Sequence, residues 1–118
     1  MNTTKDYTSA ILQIYLALPE TPQRFSKLDY RLAQELYNEG VRQQDMEMAM
    51  LLATARRLAR SSQAPPLAAI RSLHYFLPTL QEVTRNQMPE GYLEYLRMSL
   101  QSLLKKSVVG LWQSPQTE

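Results

Sequence analysis

Residues 46–60 read MEMAMLLATARRLAR, an almost unbroken apolar run that ends in three arginines. A helix that has no polar face must be surrounded by other elements, so the run predicts a central helix over about Gln43–Arg60. Acidic residues stand near its start and the arginines near its end, which is the order that the helix dipole favours. The arginines therefore mark where the helix leaves the core, and their minimum role is to stabilise its end.

Upstream of this run, two shorter amphipathic helices are predicted. Helix one covers about Thr8–Leu18, where apolar residues recur at helical spacing before two prolines end it. Helix two begins at "SKLD", where Ser26 can cap the first turn, and it ends at Gly40, which readily takes a left-handed conformation. Leucines at every fourth position form its predicted inner face: Leu28, Leu32 and Leu36.

Downstream of the run, the pattern predicts two more helices. Helix four begins near Leu67, just after a pair of prolines, and Pro78 is expected to kink or break it. Helix five runs from Pro89 to about Val108, and Gly110 ends it. The last residues, 111–118, are expected to form a flexible C-terminal tail.

Length and composition agree with this reading. A chain of 118 residues forms one ordinary domain, and three glycines are too few for the many turns of an all-β fold. The predicted fold is therefore all-α, a compact five- or six-helix bundle with a central apolar helix, in a single domain over residues 1–110. With no cysteine, no signal-like start and no apolar run of about 20 residues, the chain is expected to be cytoplasmic and not in a membrane.

The charges are unevenly distributed along the chain. Residues 1–55 carry five basic and seven acidic side chains, whereas residues 56–118 carry eight basic and four acidic ones. A molecule with two such sides can face a polyanion with one and a protein with the other. An ordinary solvated surface explains the same numbers, so both interpretations stay open.

The chain is poor in groups that support catalysis. His74 is the single histidine, the carboxylates are scattered, and the isolated glycines form no phosphate-binding loop. No spacing typical of metal ligands occurs. The sequence therefore predicts a protein that is not an enzyme, with no catalytic residues, no metal site, no cofactor and no small-molecule substrate.

A helix-turn-helix reader of duplex DNA is a possible interpretation of residues 32–50. Its second helix would have to present polar side chains to the base edges in the major groove. Here that helix would present Met48, Met50 or Leu51 from a segment that is apolar on every side. The sequence therefore disfavours groove reading.

Arginines and an aromatic side chain recur around the loop "SSQAPP". Arg71 and Tyr75 are four residues apart and would be neighbours on a helix. If helix four packs against helix three, both would meet the arginines at the end of the central helix. Phosphate contacts beside a stacking ring are typical of sites for single-stranded nucleic acid. The candidate nucleic-acid-binding residues are Arg56, Arg57, Arg60, Arg71 and Tyr75.

The alternative is that these side chains serve the fold. Tyr75 would then belong to the core, and Arg71 would pair with a carboxylate such as Glu82 or Glu47. The sequence does not decide between the two interpretations.

Three stretches, "LYNEGV", "MAMLLATARRLAR" and "AAIRSLHYF", are similar to the helical DnaD-like domain of bacterial and phage replication-initiation accessory proteins. That resemblance implies DNA binding and contact with a replication or mobile-element protein, with the five candidate residues on the shared surface. The predicted partners are thus nucleic acid, with single-stranded DNA favoured, and a larger protein assembly. The alternative function is a helical protein–protein adaptor, or a small subunit of a multi-subunit complex such as a CRISPR effector.

Overall fold

The computed structural model describes the backbone of residues 3–116 and the side chains of residues 4–105. Over the described backbone the chain forms five α-helices and one short 3-10 helix, and no strand. The predicted all-α helical bundle is therefore confirmed. In chain order the elements are α1 (Thr3–Ala17), α2 (Lys27–Asn38), α3 (Gln43–Leu58), the 3-10 helix (Leu73–Phe76), α4 (Leu77–Asn86) and α5 (Tyr92–Gln116).

The apolar run forms α3, and α3 is the central helix. It packs against α1, the 3-10 helix, α4 and α5. Because neighbours cover it on several sides, Glu47 is the one residue between Met46 and Thr54 that is not fully buried. The prediction of a central apolar helix is confirmed.

The start of α2 is fixed by reciprocal hydrogen bonds. The backbone N–H of Asp29 donates to the Ser26 hydroxyl, and the Ser26 N–H donates to the Asp29 carboxylate. The same carboxylate accepts from the backbone N–H of Leu73 at 2.9 Å, which ties α2 to the 3-10 helix. The predicted Ser26 cap is confirmed. The predicted left-handed conformation of Gly40 after the end of α2 is also confirmed, with φ +81°.

The prediction that Leu28 belongs to the inner face of α2 is wrong. Leu28 is 61% exposed, because the inner face of α2 is centred on Asp29, Leu32 and Leu36 rather than on every fourth leucine. A buried carboxylate such as that of Asp29, which accepts from two backbone N–H groups, is hard to distinguish from a surface residue in a sequence pattern.

The prediction for helix four is wrong over its first six residues, 67–72, and residues 73–76 form the 3-10 helix rather than part of an α-helix. Residues 59–72 form no helix and are called the connecting segment below. Ile70 and Leu73 are buried, but no α-helix joins them: Ser72 is extended, with φ −157°, and Leu73 begins the 3-10 helix. Pro78 lies in the first turn of α4, where its missing N–H breaks no helical hydrogen bond, so it begins a helix rather than kinking one.

The ends of α1 and α5 also differ from the prediction. α1 begins at Thr3 rather than Thr8, and α5 begins at Tyr92 after a turn at Gly91, which has φ +85°. α5 continues to Gln116, so the predicted end at Gly110 is wrong. The flexibility of residues 111–118 stays a prediction, and residues 117 and 118 lie outside the described range. Although α5 has 25 residues, no helix within residues 3–116 is long and apolar enough to cross a membrane.

Candidate nucleic-acid interface

Arg56, the first candidate residue, is held by α4. Its two terminal nitrogens donate to the two carboxylate oxygens of Glu82, at 2.9 and 2.6 Å. These hydrogen bonds lower the pKa of Glu82 and raise that of Arg56, so both groups stay charged over the ordinary pH range. Arg56 therefore joins α3 to α4, and its charge is neutralised within the chain.

Arg57 is the most enclosed of the candidates, with 8% of its side chain exposed. It donates to Glu20 at 2.6 Å, to the Tyr75 hydroxyl at 3.1 Å and to the carbonyl of Ala68 at 3.0 Å. Its guanidinium carbon lies 5.4 Å from the centre of the Tyr75 ring. Burial opposes the charge, but the bonds to Tyr75 and Glu20 outweigh it and raise the pKa of Arg57. Arg57 thus fastens both the connecting segment and the 3-10 helix to the end of α3.

The other candidates are dispersed. Arg60 donates to the carbonyl of Pro65 at 2.5 Å and so closes the loop that follows α3. Arg71 is exposed and pairs with neither Glu82 nor Glu47, because those carboxylates are bonded to Arg56 and Arg97. In the structure Arg57 and Tyr75 are in contact, whereas Arg56 and Arg60 donate hydrogen bonds to Glu82 and to the carbonyl of Pro65 within the same chain. A nucleic-acid role for the five residues stays a prediction.

A different basic surface lies at the start of α2. Two adjacent depressions share Phe25 and Ser26 along their common edge. Arg24 and Arg71 line the first, and the second extends along the outer side of α2 as far as Gln34. We call this surface the α2 basic face, and it consists of Arg24, Phe25, Lys27, Tyr30, Arg31 and Arg71.

The cations of the α2 basic face are not neutralised. Within residues 4–105, the structure shows no ion pair or side-chain hydrogen bond for any of the four, Arg24, Lys27, Arg31 and Arg71. The two carboxylates in the first depression are engaged elsewhere, Glu20 by Arg57 and Asp29 by backbone N–H groups. These two carboxylates therefore do not balance the four cations, and the exposed carboxylate of Glu35 lies one turn beyond Arg31, past the end of the face.

Two aromatic rings lie among these cations. Phe25 is 44% exposed and Tyr30 is 41% exposed, so each offers part of its ring to solvent. An aromatic surface beside unpaired guanidinium and ammonium groups provides both stacking and phosphate contacts.

The helical repeat explains this arrangement on α2. Lys27 and Arg31 are one turn apart, and they lie opposite the buried Leu32 and Leu36. Sequence reasoning missed the face because it compared the charge of long stretches, and residues 1–55 are acidic overall. The signal that could have found it is the pair of cations on the outer side of helix two, next to exposed rings.

Among the side chains of residues 4–105, no group of three histidine, aspartate or glutamate residues could hold a metal ion. His74 is exposed on the 3-10 helix. Comparison of the chain with protein-family models, curated proteins and solved structures finds no match. The resemblance to DnaD-like domains therefore stays a hypothesis, and so does the absence of enzymatic activity.

The contacts of Arg57 lead to a stability prediction. Arg57→Ala should lower the free energy of unfolding by about 2–3 kcal/mol, because it leaves Glu20, Tyr75 and a carbonyl without their donor. Urea denaturation at neutral pH measures the loss. The matched control is Arg24→Ala, an exposed arginine, which should stay within about 0.5 kcal/mol of wild type. Equal stability of the two variants would show that the Arg57 contacts do not support the fold.

Proposed function

We propose that this protein is a non-enzymatic accessory protein that binds nucleic acid through the α2 basic face and acts within a larger cytoplasmic assembly. The observation that carries the proposal is the union of four unpaired cations and two exposed rings on one surface. The resemblance to replication-initiation accessory proteins supports the same class of function. It further suggests that the assembly serves replication or a mobile element.

Single-stranded DNA is the favoured ligand. The bases of a duplex are stacked on one another, so Phe25 and Tyr30 can stack on bases only where the strand is single. The cations would contact phosphates without reading sequence, which predicts weak sequence preference. Glu20 lines the first depression of the α2 basic face and also accepts a hydrogen bond from Arg57. The contact between Arg57 and Tyr75 therefore lies next to the face, on the side of the 3-10 helix.

Fluorescence anisotropy of labelled oligonucleotides at two salt concentrations tests the proposal. We expect the wild type to bind single-stranded DNA more tightly than duplex DNA of the same sequence, with affinity falling steeply as salt rises. Lys27→Ala, Arg31→Ala and Arg71→Ala should each weaken binding and flatten the salt dependence by about 0.7 in log–log slope per lost phosphate contact. Arg85→Ala, an exposed arginine on α4, is the control and should bind like wild type.

Ring substitutions test stacking separately from charge. Phe25→Leu keeps the apolar bulk and removes the ring, so it should cost about 1–3 kcal/mol of binding to single strands and less to duplex. Tyr30→Leu should behave in the same way. The same oligonucleotide as RNA shows which nucleic acid is preferred.

Absence of binding at low salt to DNA and RNA alike would refute the nucleic-acid proposal. The adaptor would then be the better hypothesis, with an acidic protein surface on the α2 basic face.

A further inference from the structure

Two large apolar side chains of α5 are open to solvent. Tyr95 is 62% exposed and Met98 is 63% exposed, one turn apart on the helix. Next to them runs a shallow groove between α3 and α5, lined mainly by small and apolar side chains such as Ala55, Leu96 and Ser102. We call the strip of α5 from Glu94 to Lys105 that includes Tyr95 and Met98 the α5 outer strip.

Opposite charges lie at the two ends of the α5 outer strip. Glu94 has 67% of its side chain exposed, and Lys105 is also exposed. They are eleven residues apart, which is close to three helical turns, so both lie on the same flank of the apolar strip. Arg97 donates to Oε1 of Glu94 at 3.2 Å, but its two bonds to Glu47 are its shorter contacts, at 2.9 and 3.0 Å.

We propose that two copies of this chain pair through the α5 outer strip, with their α5 helices antiparallel. In an antiparallel pair, the same flank of each helix faces the other, so Glu94 of one copy meets Lys105 of its partner. The two-fold symmetry repeats this contact at the other end. Tyr95 and Met98 of both copies then become buried between the two charge pairs.

A parallel pair would be less favourable. In a parallel two-fold pair, the flank that carries Glu94 and Lys105 lies on opposite sides of the contact in the two copies, so neither charge meets an opposite charge of the partner. The charge pattern therefore selects a second, antiparallel copy as the occupant of the strip. This inference is independent of the α2 basic face, since α5 packs on α3 whereas α2 packs on α1 and the 3-10 helix.

Sedimentation equilibrium over a range of protein concentrations tests the pairing. The wild type should show a concentration-dependent dimer. Met98→Glu and Tyr95→Glu should remain monomeric where the wild type is dimeric, because each would bury an unpaired charge. Gln81→Glu adds the same charge to an exposed position of α4 and should dimerise like wild type. Thermal melting confirms that the variants are folded.

Charge reversal tests the antiparallel arrangement. Glu94→Lys and Lys105→Glu should each weaken the dimer roughly tenfold, since two attractions become two repulsions. An equimolar mixture of the two variants, and the double variant alone, should recover wild-type affinity. In a parallel dimer, neither single reversal would weaken pairing relative to wild type.

Two results would overturn the proposal. One is a wild-type protein that stays monomeric at every concentration measured, and the other is a dimer that α5 substitutions leave unchanged. Lys27→Ala should leave the dimer intact, so loss of nucleic-acid binding and loss of pairing can be told apart.

Discussion

Leu52→Ala should lower the free energy of unfolding by about 2–5 kcal/mol, and Leu51→Ala should do the same. Both leucines are 6% exposed and belong to the single core cluster around α3. Each substitution removes three buried carbon atoms and leaves a cavity, which the packed helices on either side cannot fill completely.

Urea denaturation followed by far-ultraviolet circular dichroism measures this loss. Gln13→Ala, at an exposed position of α1, is the control and should change the free energy by less than about 0.5 kcal/mol. Wild-type stability of both leucine variants would contradict the central position of α3.

Alkaline pH should destabilise the protein through two buried tyrosines. Burial raises the pKa of Tyr7 to about 12, helped by Asp45, and it raises the pKa of Tyr15 to about 12, helped by Asp29. In the unfolded chain each phenol ionises near pH 10. The stability from these neutral phenols is therefore complete below pH 10 and is lost as the pH rises toward 12, by about 2–3 kcal/mol for each tyrosine.

Phenylalanine variants separate this effect from general alkaline denaturation. Within residues 4–105, neither phenol hydroxyl has a hydrogen-bond partner, so Tyr7→Phe and Tyr15→Phe should stay within about 1 kcal/mol of wild type at pH 7. Each variant should lose less stability than the wild type between pH 10 and pH 12 in urea titrations. An identical alkaline loss in the variants would show that other groups cause it.

The sequence predicts the parts of the fold that depend on neighbouring residues. An apolar run without a polar face identifies α3, and the Ser26 cap and Gly40 identify both ends of α2. The prediction for helix four is wrong because Ile70 and Leu73 are spaced as on an α-helix, although residues 67–72 form no helix and Leu73 only begins the 3-10 helix. What holds that segment is Arg57 and Arg60 donating to its carbonyls, and such contacts leave no periodic pattern.

The candidate site shows the same limit. The arginines at the end of α3 can be seen in the sequence, but their carboxylate partners come from 26 and 37 residues away. No local spacing shows that Glu82 and Glu20 neutralise them. The α2 basic face depends on Lys27 and Arg31 lying on the outer side of one helix, which the helical repeat alone could have predicted. The position of Arg71 beside Arg24 could not have been predicted, since it depends on the path of the connecting segment.

The central position of α3 has a consequence for cooperativity. α3 packs against α1, which precedes it in the chain, and against α4 and α5, which follow it. Neither the N-terminal nor the C-terminal half can keep a closed core when the other half unfolds, so the domain is expected to melt in one two-state transition. A ligand that binds only the folded chain then raises the melting temperature of the whole domain, wherever on the surface it binds. Nucleic acid on α2 and a second copy on α5 would thus stabilise the same folding unit, and their effects would appear in the same transition.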